Sequence, residues 1–458
     1  MTAVPRTPDA GLEAQIGQWR GYVQRHRAIS PADVDELEGH LRDQVADLEH
    51  TGLSGDEAFL VAVKRMGSLD QVSREFAREH SERLWKQLVL TPELPEASDT
   101  RSRELVVVLA LAVAAAVAIK APALAGYDLD DDASWYARNF ALLVLPFLAG
   151  YFSWKRRLGW ARSLRLLAPP FLFGALVANV YPHAEGGSTE VLVAIHLPIL
   201  LWFVVGLAYV GGDWRSHPRR MDFIRFTGEW AVYYTLLALG GAVLVGLTLA
   251  GFEAIGLEIS SFIEEWVLPC GAVGAILVAA WLVEAKQSVV ENIAPVLTRV
   301  FTPLTALMLL AYLVAFLATG NVVEVDRDLL ILVDVILVLV LGLLLYAISA
   351  RDPLARPDLF DRLQLLLVLS ALLVDVLMLV AMLIRITEFG ATPNKTAALG
   401  LNLILLANLA WSARLSVGFL RRRLPFSALE RWQTSYLPVY AAWAAVVVLV
   451  FPPAFSFT

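Results

Sequence analysis

A single cysteine, Cys270, excludes an intramolecular disulfide, and no Cys/His zinc-ligand spacing can be assembled around it. Cys270 itself sits in an apolar run and reads as a small buried hydrophobe. The chain also lacks a Walker phosphate loop, a GxSxG elbow and an HExxH helix, so it offers no built-in ATPase site, serine-hydrolase site or zinc-protease site. No enzyme activity, catalytic residue, cofactor or metal is therefore expected. Basic excess is missing too: 37 Lys/Arg stand against 44 Asp/Glu, a net charge of −7, which denies nucleic acid the positive footprint it needs. Residues 1–30 contain no apolar signal segment, so the N-terminal region is expected to stay in the cytoplasm.

What the chain has in abundance is apolar residues, 57% of the 458, with a mean hydropathy of +0.61. A soluble domain runs nearer ~45–50%. Charge is unevenly placed. Residues 1–100 hold 11 Lys/Arg and 18 Asp/Glu, whereas residues 101–458 hold 26 of each. An acidic head thus precedes a neutral apolar body.

Periodicity in the head predicts short helices. Leu12–His26 reads as the first. Ser30-Pro31 starts a second, with Val34, Leu37, Leu41, Val45 and Leu48 as its apolar stripe and Gly52 beyond its end. Ser54 caps a third with Glu57 in capping-box register, and Ser68 begins a fourth. The run Val34-Asp-Glu-Leu-Glu-Gly-His-Leu41, then Gly52-Leu-Ser-Gly-Asp-Glu-Ala-Phe59, then Arg65-Met-Gly67 resembles the permease-prefix domain, a HAAS-like helical module found ahead of bacterial membrane segments. The likeness covers about residues 12–90 and implies an interaction or regulatory module. A helix-turn-helix reading of the two capped helices is disfavoured by the acidic balance.

Residues 91–103 read as a polar, Pro-containing linker. Beyond it, residues 104–458 read as a multi-span body of about eleven segments, each near the ~20 residues needed to cross a bilayer. The segments fall at about 105–126, 135–154, 164–182, 190–211, 229–251, 265–284, 300–320, 329–349, 363–385, 396–417 and 435–453. Lys155/Arg156/Arg157, Arg215/Arg219/Arg220, Lys286/Arg299, Arg351/Arg356/Arg362 and Arg421/Arg422/Arg423 occupy alternate gaps; acids such as Asp128, Asp132, Glu185, Glu258 and Glu324 occupy the others. That alternation is the positive-inside pattern, and it predicts a cytoplasmic N-terminus and an extracytoplasmic C-terminus. A surface-lying amphipathic helix over Val289–Val300 is the alternative for one stretch. The expected fold is all-α: a polytopic helical membrane protein with a small cytoplasmic helical domain over residues 1–90.

An ionisable group inside the bilayer costs at least ~2.5–3.5 kcal/mol on insertion scales, so each one calls for a reason. Asp375 lies in Leu363–Arg385 about ten residues, or roughly 15 Å, from the outer end, and Asp334 about six residues, or roughly 9 Å, into the neighbouring span. Two such carboxylates in one cavity can hold a proton or a cation. Asn402, Asn408 and Arg414 of the following span complete the candidate pathway; helix packing is the competing role for each, and Asn408 with Ser412 shares one helix face. His196 reads as a satisfied hydrogen-bonding residue, and Lys120 as a snorkelling one. Ala238, Ala242, Gly246 and Ala250, with Gly271, Ala275 and Ala279, form small-residue stripes expected to pack two spans into a tight hairpin.

A second candidate is the outer turn with Arg385, Glu388, Asn394 and Lys395, which reads either as a ligand site or as a well-capped turn. Its string Arg385-Ile-Thr-Glu-Phe-Gly-Ala-Thr-Pro-Asn-Lys395 is similar to one carried by bacterial polytopic membrane proteins of uncharacterised function. That similarity brings no activity. Two functions are open: a regulated small-solute or ion transporter or channel of the bacterial inner membrane, or a non-transporting membrane sensor whose acidic head binds a cytoplasmic regulator. The expected partners are the lipid bilayer and a cytoplasmic protein for residues 12–90, with no nucleic acid; homo-oligomerisation is left open.

Overall fold

The computed structural model describes residues 12–13, 15–17, 19–20, 31–66, 95–129, 131–285, 293–319 and 327–458. Every regular element among them is helical. Two compact units divide the chain, 1–103 and 104–458.

In the first unit, α1 (Pro31–His50) and α2 (Gly55–Met66) pack against the described part of the preceding helix. Leu41, Val45 and Leu48, at i, i+4 and i+7, bury one face of α1 against Phe59, Ala62 and Val63 of α2 and against Ile16 and Trp19. Around this core, Arg42 grips Glu13 through two hydrogen bonds of 2.6 and 2.8 Å and bonds Glu38 at 3.0 Å. The turn between the helices carries the expected glycine end and the Glu57 half of the expected capping box, with the Ser54 hydroxyl donating to the Glu57 carboxylate. Gly52 adopts φ +101° and donates to Glu49, and the Glu57 carboxylate accepts from both the Ser54 amide and its hydroxyl. Those bonds hold the Glu57 carboxyl below its ordinary range. A Cβ at Gly52 would meet nothing, so Gly52→Ala costs only the left-handed backbone, about 1–2 kcal/mol. Faster amide exchange across residues 41–63 of the full chain is the expected reading. The expected fourth helix from Ser68 lies outside the described residues.

The second unit is a bundle of long helices: α3 (Pro95–Lys120, from Glu104 onward), α4 (Ala133–Lys155), α5 (Trp160–Val180), α6 (Ser188–Tyr209), α7 (His217–Ala254), α8 (Leu268–Ala285), α9 (Ile293–Thr319), α10 (Arg327–Ala350), α11 (Leu359–Phe389), α12 (Pro393–Leu420) and α13 (Ser427–Leu449). A short helix, α14 (Phe451–Ala454), follows. All eleven expected spans fall on α3–α13. Among the described residues nine of these helices are long and apolar enough to cross a membrane. The other two, α4 and α13, are 23 residues each but carry Arg138 and Asn139, or Glu430, Arg431 and Gln433, in their first turns. Both pack against α6; Arg138 pairs there with Glu190, whereas Asn139 bonds Asn179 of α5 and Gln433 bonds Asn408 and Ser412 of α12. The chain is a polytopic helical membrane protein.

Several boundaries differ from expectation. The predicted linker is helical from Pro95 onward, because Pro95 occupies a first-turn position that needs no amide donor; residues 91–94 lie outside the described residues. Helix α9 runs unbroken from Ile293, so this part of the suggested surface helix continues into the span; residues 289–292 are not described. Helices α7 and α8 do pack together, with Trp230 Nε1 donating to the Ile276 carbonyl at 3.0 Å, but not through the small-residue stripe of α7. Ala238, Ala242, Gly246 and Ala250 face the surroundings, and a Cβ at Gly246 or Gly271 would touch nothing. The bulky Trp230, Tyr233 and Tyr234 lie nearer the start of α7 and pack on the apolar core there, which fixes the contact at that end instead.

Two apolar clusters form the interior. One joins α3–α8 through Leu148, Phe152, Leu197, Leu201 and Phe226. The other joins α9–α13 through Leu309, Val340, Val368, Met378 and Leu409, with Met221 and Ile224 of α7 added.

Candidate site: a buried carboxylate pair between three helices

Helices α10, α11 and α12 pack against one another, each touching the other two. Asp334 lies sixteen residues before the end of α10 at Ala350, and Asp375 sixteen residues after the start of α11 at Leu359. Measured from the basic end of the bundle, both are therefore about 24 Å deep at ~1.5 Å per residue. Asn402 lies eighteen residues before the end of α12 at Leu420, about 27 Å by the same measure. Counted from the basic end, the helix bounds in the structure put the two at one level, because α11 begins at Leu359, ahead of the expected span start at residue 363.

Asp375 and Asn402 are both 0% exposed. They sit in the apolar cluster that contains Leu337, Ala371, Met378 and Leu405. The Asp334 carboxyl faces the Asn402 amide and lies within electrostatic range of Asp375. Even so, both Asp375 oxygens, Asp334 Oδ1 and both polar atoms of Asn402 are buried without a well-formed hydrogen bond among the described residues. The Asp334 carboxyl and the Asn402 amide thus face each other without closing a well-aligned hydrogen bond. No guanidinium or ammonium is paired with either carboxylate among the described residues. Interiors leave few polar atoms unpaired, and each such atom costs about 1–3 kcal/mol. Two carboxylates and a carboxamide thus lie near one level of the bundle, and carboxyl groups so placed are chemically able to hold a proton or a hard cation.

The remaining pathway candidates have other duties. Asn408 and Ser412, both 0% exposed, close a network with Gln433 of α13. Asn408 Nδ2 donates to Gln433 Oε1 at 3.1 Å, and Gln433 Nε2 donates to Ser412 Oγ at 2.7 Å. Ser412 Oγ also donates to the Asn408 carbonyl at 2.7 Å, and Trp432 Nε1 to the same oxygen at 3.3 Å. Every member is satisfied, which is the interhelical glue a bilayer core favours. Gln433→Leu strands the Asn408 amide and is expected to destabilise the fold by about 1–3 kcal/mol, read as a lower unfolding midpoint in detergent. Arg414 is exposed and stacks on Trp411, 4.6 Å from the ring, away from the aspartates. His196 bonds the Leu192 carbonyl at 2.9 Å, and Lys120 reaches the Glu265 carbonyl at 2.7 Å over the Trp266 ring.

The outer turn is a capped connection. Gly390 ends α11 at φ +77° with its amide on the Ile386 carbonyl, and Thr392 caps α12 by accepting from the Lys395 amide. Lys395 Nζ bonds the Gly390 carbonyl at 3.1 Å and lies over the Phe389 ring, and Asn394 donates to Ser188 Oγ at 3.2 Å. Glu388 is exposed, and Arg385 is partly buried one turn before it. Lys395 and Asn394 are engaged in closing the turn.

Sequence reasoning missed several polar groups. Glu284 ends α8 and takes Arg156 at 3.0 Å and Lys155 at 3.4 Å, while Glu104 accepts from Tyr151 at 2.6 Å and pairs with Lys155. At the other end of the bundle, Arg138 pairs with the buried Glu190, whose second oxygen accepts from the Gly186 amide at 2.6 Å. Carboxylates set at the basic ends of spans were the available signal for Glu104 and Glu284. Gln433 carried none, since its partners lie 21 and 25 residues away.

No family model matches the chain, and no curated protein or solved structure matches it.

Proposed function

We propose that the chain is a bacterial inner-membrane transporter or channel for a small cation, with Asp375 and Asp334 holding the ion and Asn402 lending its amide oxygen. The observation that carries this reading is the full burial of Asp375 with neither oxygen hydrogen-bonded among the described residues. A carboxyl group there is either neutralised by a proton or balanced by a counter-charge, and an exchanging proton or a mobile cation meets that need. A neighbouring second carboxylate strengthens the hold on that cation and weakens any reason for the pair to be mere packing.

Orientation follows from charge. The ends of the helices that carry Arg156, Arg219, Arg351 and Arg421 face the cytoplasm under the positive-inside rule, which sets the acidic gaps and the C-terminus outside. The acidic helical unit ahead of α3 then lies in the cytoplasm, in the position of a regulatory module, as its likeness to the permease-prefix domain implies.

Reconstituted protein is expected to dissipate an imposed proton or sodium gradient, and Asp375→Asn to slow that leak by about 100-fold, the equivalent of ~2.5–3.5 kcal/mol at 1.4 kcal/mol per tenfold. Equal rates for the two proteins would end the pathway assignment.

A further inference from the structure

At the basic end of the bundle, α4, α6, α7 and α8 surround a cleft of about 540 Å³. Sites for small molecules occupy about 300–1,000 Å³, so this one is of ligand size. Its polar wall comes from Arg156, Tyr209, Arg219, Asp222, Arg225 and Glu229. Residues 219, 222, 225 and 229 fall at spacings of three and four, so one face of α7 supplies four charges of alternating sign. Helix α7 is 38 residues long, about 57 Å, and exceeds the ~30 Å hydrocarbon layer, which leaves its first turns at or beyond the interface.

The arginines are fixed in place by backbone oxygens. Arg156 Nε donates to the Tyr209 carbonyl at 3.0 Å, with its guanidinium 4.8 Å from the Tyr209 ring centre. Arg219 Nη1 donates to the Val210 carbonyl at 2.9 Å, and Arg225 Nε to the Ser349 carbonyl at 3.0 Å. A carbonyl anchors a guanidinium without cancelling its charge. Arg156 does share Glu284 with Lys155, and Arg219 has a loose 3.7 Å pair with Asp213. Asp222 has an arginine one turn away on each side, yet Arg219 and Arg225 bond elsewhere and Asp222 stays exposed.

This mixture of signs decides the ligand class. A simple anion would sit beside Asp222 and Glu229, and a simple cation beside three guanidiniums. A molecule with both charges meets both walls. Three planar donors suit the several oxygens of a phosphate better than the two of a carboxylate. We propose that the cleft binds a phosphate-bearing zwitterion of the phosphoethanolamine type, with phosphate oxygens on Arg156, Arg219 and Arg225 and the ammonium group on Asp222. Such a group comes either as the headgroup of a zwitterionic phospholipid or as a soluble phosphoester. The assignment is independent of the aspartate pair deeper in the bundle.

Calorimetric titration of the full chain in detergent with glycerophosphoethanolamine, glycerophosphate and ethanolamine tests the charge pattern. Native mass spectrometry after release from nanodiscs containing phosphatidylethanolamine and phosphatidylglycerol tests the lipid source. The expected result is binding of the zwitterion about tenfold tighter than either singly charged fragment, with Arg219→Gln and Asp222→Asn each weakening it about tenfold. Both substituted residues are exposed, so the fold should tolerate the changes. Binding of the soluble zwitterion assigns an aqueous ligand; retention of phosphatidylethanolamine alone, sensitive to the same two substitutions, assigns the lipid. Glycerophosphate binding as tightly as the zwitterion, indifference to both substitutions, or no binding in either format would overturn the proposal.

Discussion

Asp375→Leu is expected to make the purified protein more stable while removing its cation conductance. A structural aspartate would behave in the opposite way, because its loss would strand hydrogen-bond donors. Here both carboxylate oxygens are buried and accept no well-formed hydrogen bond among the described residues, so their removal strands nothing that is visible. The neighbourhood of Leu337, Ala371, Met378 and Leu405 is already apolar, and leucine is close enough in size to be accommodated with modest repacking. The gain should be about 1–3 kcal/mol, the desolvation cost of an unpaired polar group. Reversible unfolding in mixed micelles would read it. A stability loss of similar size would mean that Asp375 holds the helices together. Asp375→Asn should fall between, since an amide is still an unpaired polar group but needs no counter-ion.

Arg351→Ala is expected to have the opposite sign and a larger effect. Arg351 follows α10 and pairs with Asp361 through two hydrogen bonds, 2.8 and 2.9 Å, with the Asp361 side chain only 5% exposed. The guanidinium also lies against the paired rings of Phe419 and Phe426, 4.7 and 4.6 Å from their centres, and donates to the Asp352 and Arg356 carbonyls. Asp361 is in turn part of a capping box with Asp358 at the start of α11. One side chain thus ties the α10–α11 turn to the α12–α13 turn. Removing one partner of a buried pair costs about 3–5 kcal/mol, because the other charge is left uncompensated. Lysine cannot replace the planar, bidentate, ring-stacked group, so Arg351→Lys should recover less than half of the loss. A double replacement, Arg351→Met with Asp361→Leu, should recover most of it, since apolar residues of similar volume often substitute for a buried pair at little cost. Thermal unfolding of the four proteins separates these outcomes. Equal midpoints for Arg351→Ala and the parent would show that the pair is solvated.

How much of this was legible in the sequence depends on the range of the interaction. The spans of α3 and α5–α12 follow from apolar run length alone, and the Ser54–Glu57 cap and Gly52 terminus from residues three to five apart. Asp334 and Asp375 stand out because a carboxylate in an apolar run is its own signal. Their common level was blurred by one feature: α11 carries polar residues at both ends, so its apolar stretch understates its length. The role of Asn408 was undecidable in the sequence, because its partner Gln433 sits on another helix, in the polar first turns ahead of the apolar run read as a span. The small-residue stripe of α7 shows the reverse error. Spacing identified a face that permits close approach, but the aromatic residues near the start of the helix determine where α8 touches it. The charged face at residues 219–229 was visible only as a basic gap, since its meaning depends on the walls that α4, α6 and α8 place opposite it.

The central claim is that the Asp334–Asp375 pair holds an exchangeable cation. Infrared difference spectroscopy on the reconstituted protein tests it most directly, by recording carboxyl bands as the bathing solution is switched in pH and in sodium concentration. The account predicts a reversible exchange between protonated-carboxyl and carboxylate bands that is lost in Asp375→Asn and shifted in Asp334→Asn. A difference spectrum that is identical in the parent and in Asp375→Asn would contradict it.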